Sequence, residues 1–322
     1  MLRMILKAMA VFALIAGSTH HTAAQPYPIK PVRMLVAFPA GGSADIVARI
    51  LGQKLGEQMG QQVVVENRPG AGGNIAFEAA ARSEPDGYTV MLSTPGVVIN
   101  PSLYKTVKYT PDDFAGISLV GEAPLLIMVN PNVKAASLSE LIALAKQKPG
   151  QLRYASAGSG SSSHLASEVF RSMAGLDLLH VPYKGGGPAF QDVLNGNVDI
   201  TALPIAESMT HVTSGRVRAL AQTGTRRSNI AADVPTVAEA GIQGYSVTTW
   251  YVLLAPVKIS PAIVARLAKE SEQALKAPDV LQRLTNAGVN IIGAGPAQTA
   301  AFMKEETTKW AALIKASGAQ VE

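Results

Sequence analysis

The chain has 322 residues, of which 48% are hydrophobic and 16% charged, and its formal net charge is +5 at pH 7. This composition is typical of a globular α/β protein of about two domains and excludes an extended disordered chain. The basic residues are spread without a Lys/Arg run, so we expect no nucleic-acid partner. The sequence contains no Cys, which excludes disulfides, thiolate metal sites and a lipid-anchored cysteine.

Residues 1–24 have the order of a secretory signal peptide. Arg3 and Lys7 precede a short apolar stretch, and Thr22-Ala23-Ala24 offers small residues for cleavage. The apolar stretch is too short to span a bilayer comfortably. We therefore expect the mature chain to be exported and soluble.

The first predicted strand ends in a glycine corner that opens a helix. Residues 33–38 form an apolar run, and apolar residues recur at helical spacing over 45–59. Between them, Gly41 and Gly42 leave the backbone N–H groups of the corner uncovered. Such N–H groups and the positive end of a helix dipole favour an anion. The corner predicts an anion site, with an ordinary βα turn as the alternative.

Two further corners follow in this half of the chain. A strand at 62–65 runs into the glycine-rich segment 67–74, and a strand at 88–92 ends in Ser93-Thr94-Pro95-Gly96. The segment 101–114 is expected to be irregular. Because ligands bind outside the carboxyl ends of strands in open parallel sheets, we expect these corners to converge.

The second half begins a new series of strands and helices. The apolar run at 125–129 predicts a strand, and a strand at 154–156 leads into a Ser/Gly-rich segment at 157–164. A strand at 178–181 leads in the same way into a glycine-rich segment at 182–188. Each segment opens a predicted helix with its N-terminal N–H groups at the corner. We therefore expect a second set of anion-binding corners here.

The last third of the chain is expected to pack against the first domain. After the second series ends with strands at 198–202 and 217–222, we predict a strand at 245–254 and helices at 262–276, 279–286 and 298–315. The late helices have apolar sides that suit the first domain. The chain is therefore expected to form two lobes with two crossovers, with 25–124 and 236–322 as lobe 1 and 125–235 as lobe 2.

Motifs for nucleotides and metals are missing from the sequence. The segment at 67–74 lacks the full G-x-G-x-x-G pattern, and Lys184-Gly185 reverses the Gly-Lys order of a phosphate-binding loop. The histidines of the second half lie too far apart for metal-ligand spacing, at His164, His180 and His211. We therefore predict no cofactor and no metal.

A secreted α/β hydrolase or esterase is the alternative from another class of protein. It would use Ser159 or Ser161 as the nucleophile and His164 as the base. Neither G-x-S-x-G nor S-x-x-K occurs around these residues, and no Asp is marked as a partner for His164. We predict that the chain is not an enzyme and has no catalytic residues, and turnover of a simple ester tests the alternative.

Six segments of the chain together resemble a known family. They are 38–49, 65–74, 85–88, 154–160, 181–189 and 234–241. Over the whole mature chain the sequence resembles the extracytoplasmic solute receptors of tripartite tricarboxylate transporters, the Bug family. The resemblance implies an α/β type II periplasmic-binding-protein fold with two lobes around a ligand cleft. It also implies a periplasmic receptor that captures a small organic carboxylate and delivers it to membrane permease subunits.

The resemblance further implies which residues hold the carboxylate. In the family this is done by backbone N–H groups and bridging waters, with hydroxyls and amides from the second lobe. Carried over to the first half, the candidates are Ala40, Gly41, Gly42, Ser43, Ala44, Gly72, Asn74 and Thr94. In the second half they are Ser156, Ala157, Gly158, Ser159, Gly160 and Lys184.

Several properties stay open at this point. Val252 stands where many relatives carry Gly, so the ligand of any one relative does not transfer to this chain. A ligand-sensing role for a signalling partner such as a sensor kinase is a further alternative to transport. We expect the mature chain to be monomeric.

Overall fold

The structure is a computed structural model that describes residues 27–317, so the predicted signal peptide lies outside the described residues. The strands are β1 (Val32–Val36), β2 (Val63–Asn67), β3 (Thr89–Ser93), β4 (Phe114–Val129), β5 (Arg153–Ser156), β6 (Leu179–Pro182), β7 (Ile200–Pro204), β8 (Arg218–Gln222), β9 (Thr248–Pro256) and β10 (Asn290–Ala294). The helices are α1 (Ser43–Met59), α2 (Asn74–Ala81), α3 (Gly96–Leu103), α4 (Leu138–Gln147), α5 (Ser162–Ala174), α6 (Gly186–Leu194), α7 (Ile205–Thr213), α8 (Pro261–Lys276), α9 (Pro278–Asn286) and α10 (Pro296–Ser317). None of the helices described between residues 27 and 317 has the length and hydropathy needed to cross a bilayer.

Strand β4 belongs to two groups of strands and joins them. Its residues 114–124 pair antiparallel with β9, which pairs with β3, and β1 and β2 follow in parallel. Its residues 125–129 pair antiparallel with β7 and β8, and β5 and β6 continue from β7 in parallel. Strand β10 joins the first group beside β4. Each group therefore contains a parallel part whose strands end at one edge.

The predicted division between 124 and 125 falls within β4, where its pairing changes from β9 to β7. On the return, the backbone N–H groups of Val237 and Val247 donate to the carbonyls of Gln222 and Thr223, at 2.8 and 2.9 Å. These bonds tie the returning segment to the second group of strands. We propose that the chain forms two lobes. The first crossover between them lies between residues 124 and 125, as in the prediction, and the second lies near the start of β9.

Strand β1 is buried on both faces of its sheet. Val32, Met34 and Val36 belong to the core that contains residues of α1, whereas Leu35 belongs to the core that contains Phe77 of α2. This two-sided burial explains why the strand is a continuous apolar run and does not alternate with polar residues. It also holds the end of β1 in place, and with it the corner that follows.

The structure corrects the sequence predictions in four elements. Helix α3 includes Pro101 and extends over the first three residues of the segment 101–114 that is expected to be irregular, because Val97, Val98 and Ile99 are each 0% exposed in the core. This burial offsets the hydrogen bond that proline removes. Strand β4 starts at Phe114 instead of at residue 125. Helix α7 and strand β10 have no counterpart in the sequence predictions.

Candidate functional site

A cleft of about 370 Å³ opens at the carboxyl ends of strands from both groups. The chain reaches the cleft directly after β1, β3, β5 and β7, the edge at which open α/β sheets bind ligands. The cleft is lined by Phe38, Pro39, Ala40, Gly41, Gly42, Ser43, Ala44, Thr94, Ala157, Ser161, Ser162, Ser163, Gly186, Gly187, Pro188, Phe190, Gln191, Leu203, Pro204, Glu207, His211 and Thr249. Of the three corners of the first half that are expected to converge, those after β1 and β3 meet at this cleft, whereas the corner after β2 lines a neighbouring cavity.

Asp45 organises the glycine corner after β1. Its carboxylate accepts hydrogen bonds from the Gly41 N–H at 2.9 Å, from Arg49 Nε at 2.9 Å and from Asn67 Nδ2 at 3.0 Å. Gly41 has φ +83°, a conformation that glycine adopts without strain. Burial opposes ionisation of Asp45, but the hydrogen bonds outweigh it and lower the pKa of this carboxyl group. The ionised carboxylate of Asp45 therefore holds the corner in place through these hydrogen bonds.

The opposite wall of the cleft is built from the N-termini of α5 and α6. Ser161 caps α5 by accepting the His164 N–H at 3.3 Å, and Ser163 Oγ accepts the Ala157 N–H at 2.7 Å. Ser162 Oγ donates to Thr249 Oγ1 at 3.0 Å. Together with the start of α1, three helix N-termini face the cleft, and each presents partial positive charge.

Glu207 is the cleft-lining carboxylate that sequence reasoning missed. It lies on α7, and its Oε1 accepts the Ser43 N–H at 2.6 Å, at the first residue of α1. Burial raises the pKa of Glu207 above its ordinary value, and hydrogen bonds from the Ser43 backbone and hydroxyl offset only part of this effect. The predicted anion corner thus holds a carboxylate of the protein itself.

The predicted site residues fall into three groups by position. Those that line the cleft are Ala40, Gly41, Gly42, Ser43, Ala44, Thr94 and Ala157. Gly72 and Lys184 line a neighbouring cavity of about 30 Å³, which Ala157 also borders. Those that line neither cavity are Asn74, Ser156, Gly158, Ser159 and Gly160. Contact of any of them with a ligand stays a prediction.

Residues 158–160 meet the first half of the chain. The Ser159 carbonyl accepts a hydrogen bond from Tyr104 Oη at 2.8 Å. A Cβ at Gly160 would lie 2.0 Å from Asn100 Oδ1, so only glycine allows this approach. Asn74 is part of the same contact, because its Oδ1 accepts from Asn100 Nδ2 at 2.7 Å. These residues join the two groups of strands beside the cleft.

The cleft also contains residues absent from the predicted ligand-binding set. Those with polar side chains are Ser161, Ser162, Ser163, Gln191, Glu207, His211 and Thr249. The serines stand next to the predicted corner, so extending it to the start of the helix would have included them. Glu207 and His211 lie on α7, for which the sequence carries no clear signal.

The serines and histidine of the hydrolase alternative have other partners. His164 Nδ1 accepts the Gly160 N–H at 3.2 Å, and Ser161 Oγ donates to the Gly158 carbonyl at 2.6 Å. No hydrogen bond joins the His164 ring to the hydroxyl of Ser159 or Ser161 among the described residues. A Ser–His contact occurs instead behind the cleft.

That contact joins Ser156 Oγ to His180 Nε2 at 2.7 Å, and Ser156 is 0% exposed. The His180 ring stacks between Tyr154 and His164, with centroid distances of 4.8 and 4.3 Å. Burial lowers the pKa of His164 to about 4, and burial together with His164 lowers that of His180 to about 3. The two rings are therefore neutral in the folded protein at pH 7.

We expect the free energy of unfolding to fall as the pH drops below about 6.5. Histidines in the unfolded chain take up protons there, whereas His164 and His180 stay neutral until about pH 4 and 3 in the fold. Urea unfolding between pH 7.5 and 4 measures the slope. His180→Phe keeps an aromatic ring in the stack and is expected to flatten the slope. His211→Phe is the control and retains most of it, and equal slopes for both variants would contradict the assignment.

No group of three or more His, Cys, Asp or Glu within residues 27–317 is arranged to hold a metal ion. The cleft offers N–H groups, hydroxyls and helix N-termini from both strand groups that share β4. Fold and site thus define a two-lobed binding protein with its cleft between the lobes.

Comparisons with known proteins identify the family. Residues 47–319 match the model of the tripartite tricarboxylate transporter family receptor. The chain is 36% identical to Protein BugT of Bordetella pertussis, over 99% of this chain and 98% of that protein. The structure of the periplasmic binding protein BugD has a TM-score of 0.87 and 35% identity, covering 92% of this chain and all (100%) of BugD.

A second solved structure, R. palustris Rpa4515 with adipate, has a TM-score of 0.88 and 32% identity, covering 92% of this chain and 100% of that chain. This chain therefore belongs to the tripartite tricarboxylate transporter receptor family. The comparisons confirm the predicted family and the two-lobed α/β fold.

Proposed function

We propose that this chain is a periplasmic receptor that binds a small organic carboxylate in the cleft and delivers it to the permease subunits of a tripartite tricarboxylate-type transporter. The observation that carries the proposal is the convergence of three helix N-termini on one cleft. Family membership and the adipate in the Rpa4515 structure support the same ligand class.

The N–H groups of the cleft suit a carboxylate without help from a basic side chain. No Lys or Arg stands among the described residues that line the cleft. Backbone N–H groups at helix N-termini make charge-assisted hydrogen bonds with carboxylate oxygens and need little reorganisation on binding. We place the ligand carboxylate against the start of α5 and α6, near Ser162, Ser163 and Gly187, because Glu207 already accepts from Ser43.

The finer parts of this proposal follow from the sequence and the family. We propose that residues 1–24 direct export, that the mature chain acts as a monomer, and that it releases its ligand chemically unchanged. BugD, a relative at 35% identity, is a periplasmic binding protein, which supports the location. Transport, not signalling, is the role that family membership favours.

A thermal-shift screen of the mature protein tests the proposal. The panel contains mono-, di- and tricarboxylates, with amines and sugars as controls. A ligand present at about a hundredfold its dissociation constant adds roughly 2.7 kcal/mol to the free energy of unfolding. We expect particular carboxylates to raise the melting temperature and to be recovered unchanged. Failure of every carboxylate, or turnover of a simple ester, would overturn the receptor proposal.

A further inference from the structure

Glu207 places a carboxyl group in a cleft that otherwise offers groups for binding anions. Its Oε1 accepts the Ser43 N–H at 2.6 Å, and a Cβ on Gly186 would come within 2.2 Å of its Oε2. The carboxylate therefore lies between the N-terminus of α1 and that of α6. It reaches this position from α7, which follows directly after β7.

The two carboxylate oxygens of Glu207 have different surroundings. Oε1 accepts the Ser43 N–H, whereas Oε2 lies beside Gly186, which lines the cleft. One oxygen thus remains able to accept a hydrogen bond from a bound molecule. Since burial disfavours the charged form of Glu207, a cation at this oxygen would restore an interaction that the protein alone does not supply.

The other groups near Glu207 do not supply that cation. His211 lies one helical turn further along α7 and also lines the cleft, but its pKa is lowered by burial and by Arg216. His211 is therefore neutral at pH 7. Arg216 contacts the Nδ1 atom of His211 at 3.2 Å and is not among the residues that line the cleft.

We propose that the ligand carries a protonated nitrogen as well as its carboxylate, and that Glu207 binds the nitrogen while the N-termini of α5 and α6 bind the carboxylate. This inference rests on the proposed function and names its substrate class as amino carboxylates. A second ligand carboxylate at the same place and Glu207 could not both stay ionised, because like charges in a site of low dielectric repel each other, and one of the two would have to take up a proton. Glu207 thereby discriminates against dicarboxylates of similar length.

The test compares three matched series of probes by isothermal titration calorimetry. All probes have three to six carbons. The first series contains ω-amino carboxylates, and the second contains α-amino carboxylates together with the unsubstituted acids from which they derive. The third series contains dicarboxylates. We expect an amino carboxylate to bind wild-type protein at least tenfold more tightly than its unsubstituted parent and than the dicarboxylate of the same length. Glu207→Gln should remove this preference and strengthen binding of the dicarboxylate.

Glu305→Gln is the matched control, because it removes one negative charge from an exposed position on α10 that does not line the cleft. It should keep the wild-type preference. The ligand preference of the wild-type protein tests the inference even if Glu207→Gln folds poorly. Wild-type protein that binds the dicarboxylate or the unsubstituted acid equally well or better overturns the inference and leaves the receptor standing. A lack of binding to every carboxylate overturns the receptor proposal itself.

Discussion

Gly72→Ala is expected to lower the affinity for the carboxylate ligand by about a hundredfold or more. A Cβ at Gly72 would lie 2.1 Å from the carbonyl oxygen of Ser159, which comes from the other half of the chain. Backbone atoms cannot yield at this distance, so the lobes must move apart. In receptors of this architecture the lobes close around the ligand. A barrier to closure therefore reduces the fraction of molecules in the closed state that holds the ligand. Calorimetry with the carboxylate that gives the largest thermal shift measures the loss.

Gly175→Ala is the control for this prediction. Gly175 has φ +61°, close to the +62° of Gly72, but a Cβ there meets nothing within 4 Å. Both variants introduce similar backbone strain, because each places a Cβ on a residue in the left-handed region, but only Gly72→Ala obstructs the contact with Ser159. Small-angle scattering with ligand should show a larger radius of gyration for Gly72→Ala alone. Equal affinities for the two variants would show that this contact is not needed for binding.

Asp45→Ala is expected to lower the free energy of unfolding by about 2–4 kcal/mol. Asp45 is 3% exposed and binds the Gly41 N–H and Asn67 Nδ2, which lose a buried acceptor in the variant. The half-exposed Arg49 adds little, because exposed ion pairs are weak. The glycine corner also loses the group that holds it, so ligand affinity should fall by about tenfold or more, since an unordered corner must be ordered on binding.

Glu57→Ala provides the matched control on the same helix. Glu57 is exposed, and its partners among the described residues are Lys54 and Gln53 on α1, so its loss should change stability by about 0.5 kcal/mol or less. Asp45→Asn keeps one acceptor oxygen and should fall between the two variants. Chemical denaturation measures the stabilities and calorimetry the affinities. If Asp45→Ala behaves like Glu57→Ala, the corner is held by its glycines and not by this carboxylate.

The sequence led to the first corner because its signals are local. A continuous apolar strand, two glycines and an amphipathic helix follow one another between Val32 and Met59, and each is recognisable without the rest of the chain. The corner lines the cleft, and its role in binding an anion stays a prediction. Thr94 and Ala157, which the family resemblance supplies, also line the cleft, and each directly follows a strand.

Helix α7 shows why other parts were missed. It holds Ile205, Thr210, Val212 and Thr213, and β-branched residues lower helix propensity. The helix forms because Ile205 and Ser208 are buried against the second group of strands, a tertiary effect. Because the sequence did not predict α7, Glu207 was not among the predicted site residues.

The sequence by itself determined the class of this protein. Strand runs, glycine corners and helix starts indicate an α/β protein because each is set by neighbouring residues, and the resemblance of six segments to a known family adds the two-lobed fold. Only the tertiary structure decided how the corners are used. Residues 158–160 join the two lobes, and Glu207 reaches Ser43 across 164 positions of sequence. Contacts between residues so far apart depend on how the strands cross between lobes, and no local pattern encodes that distance.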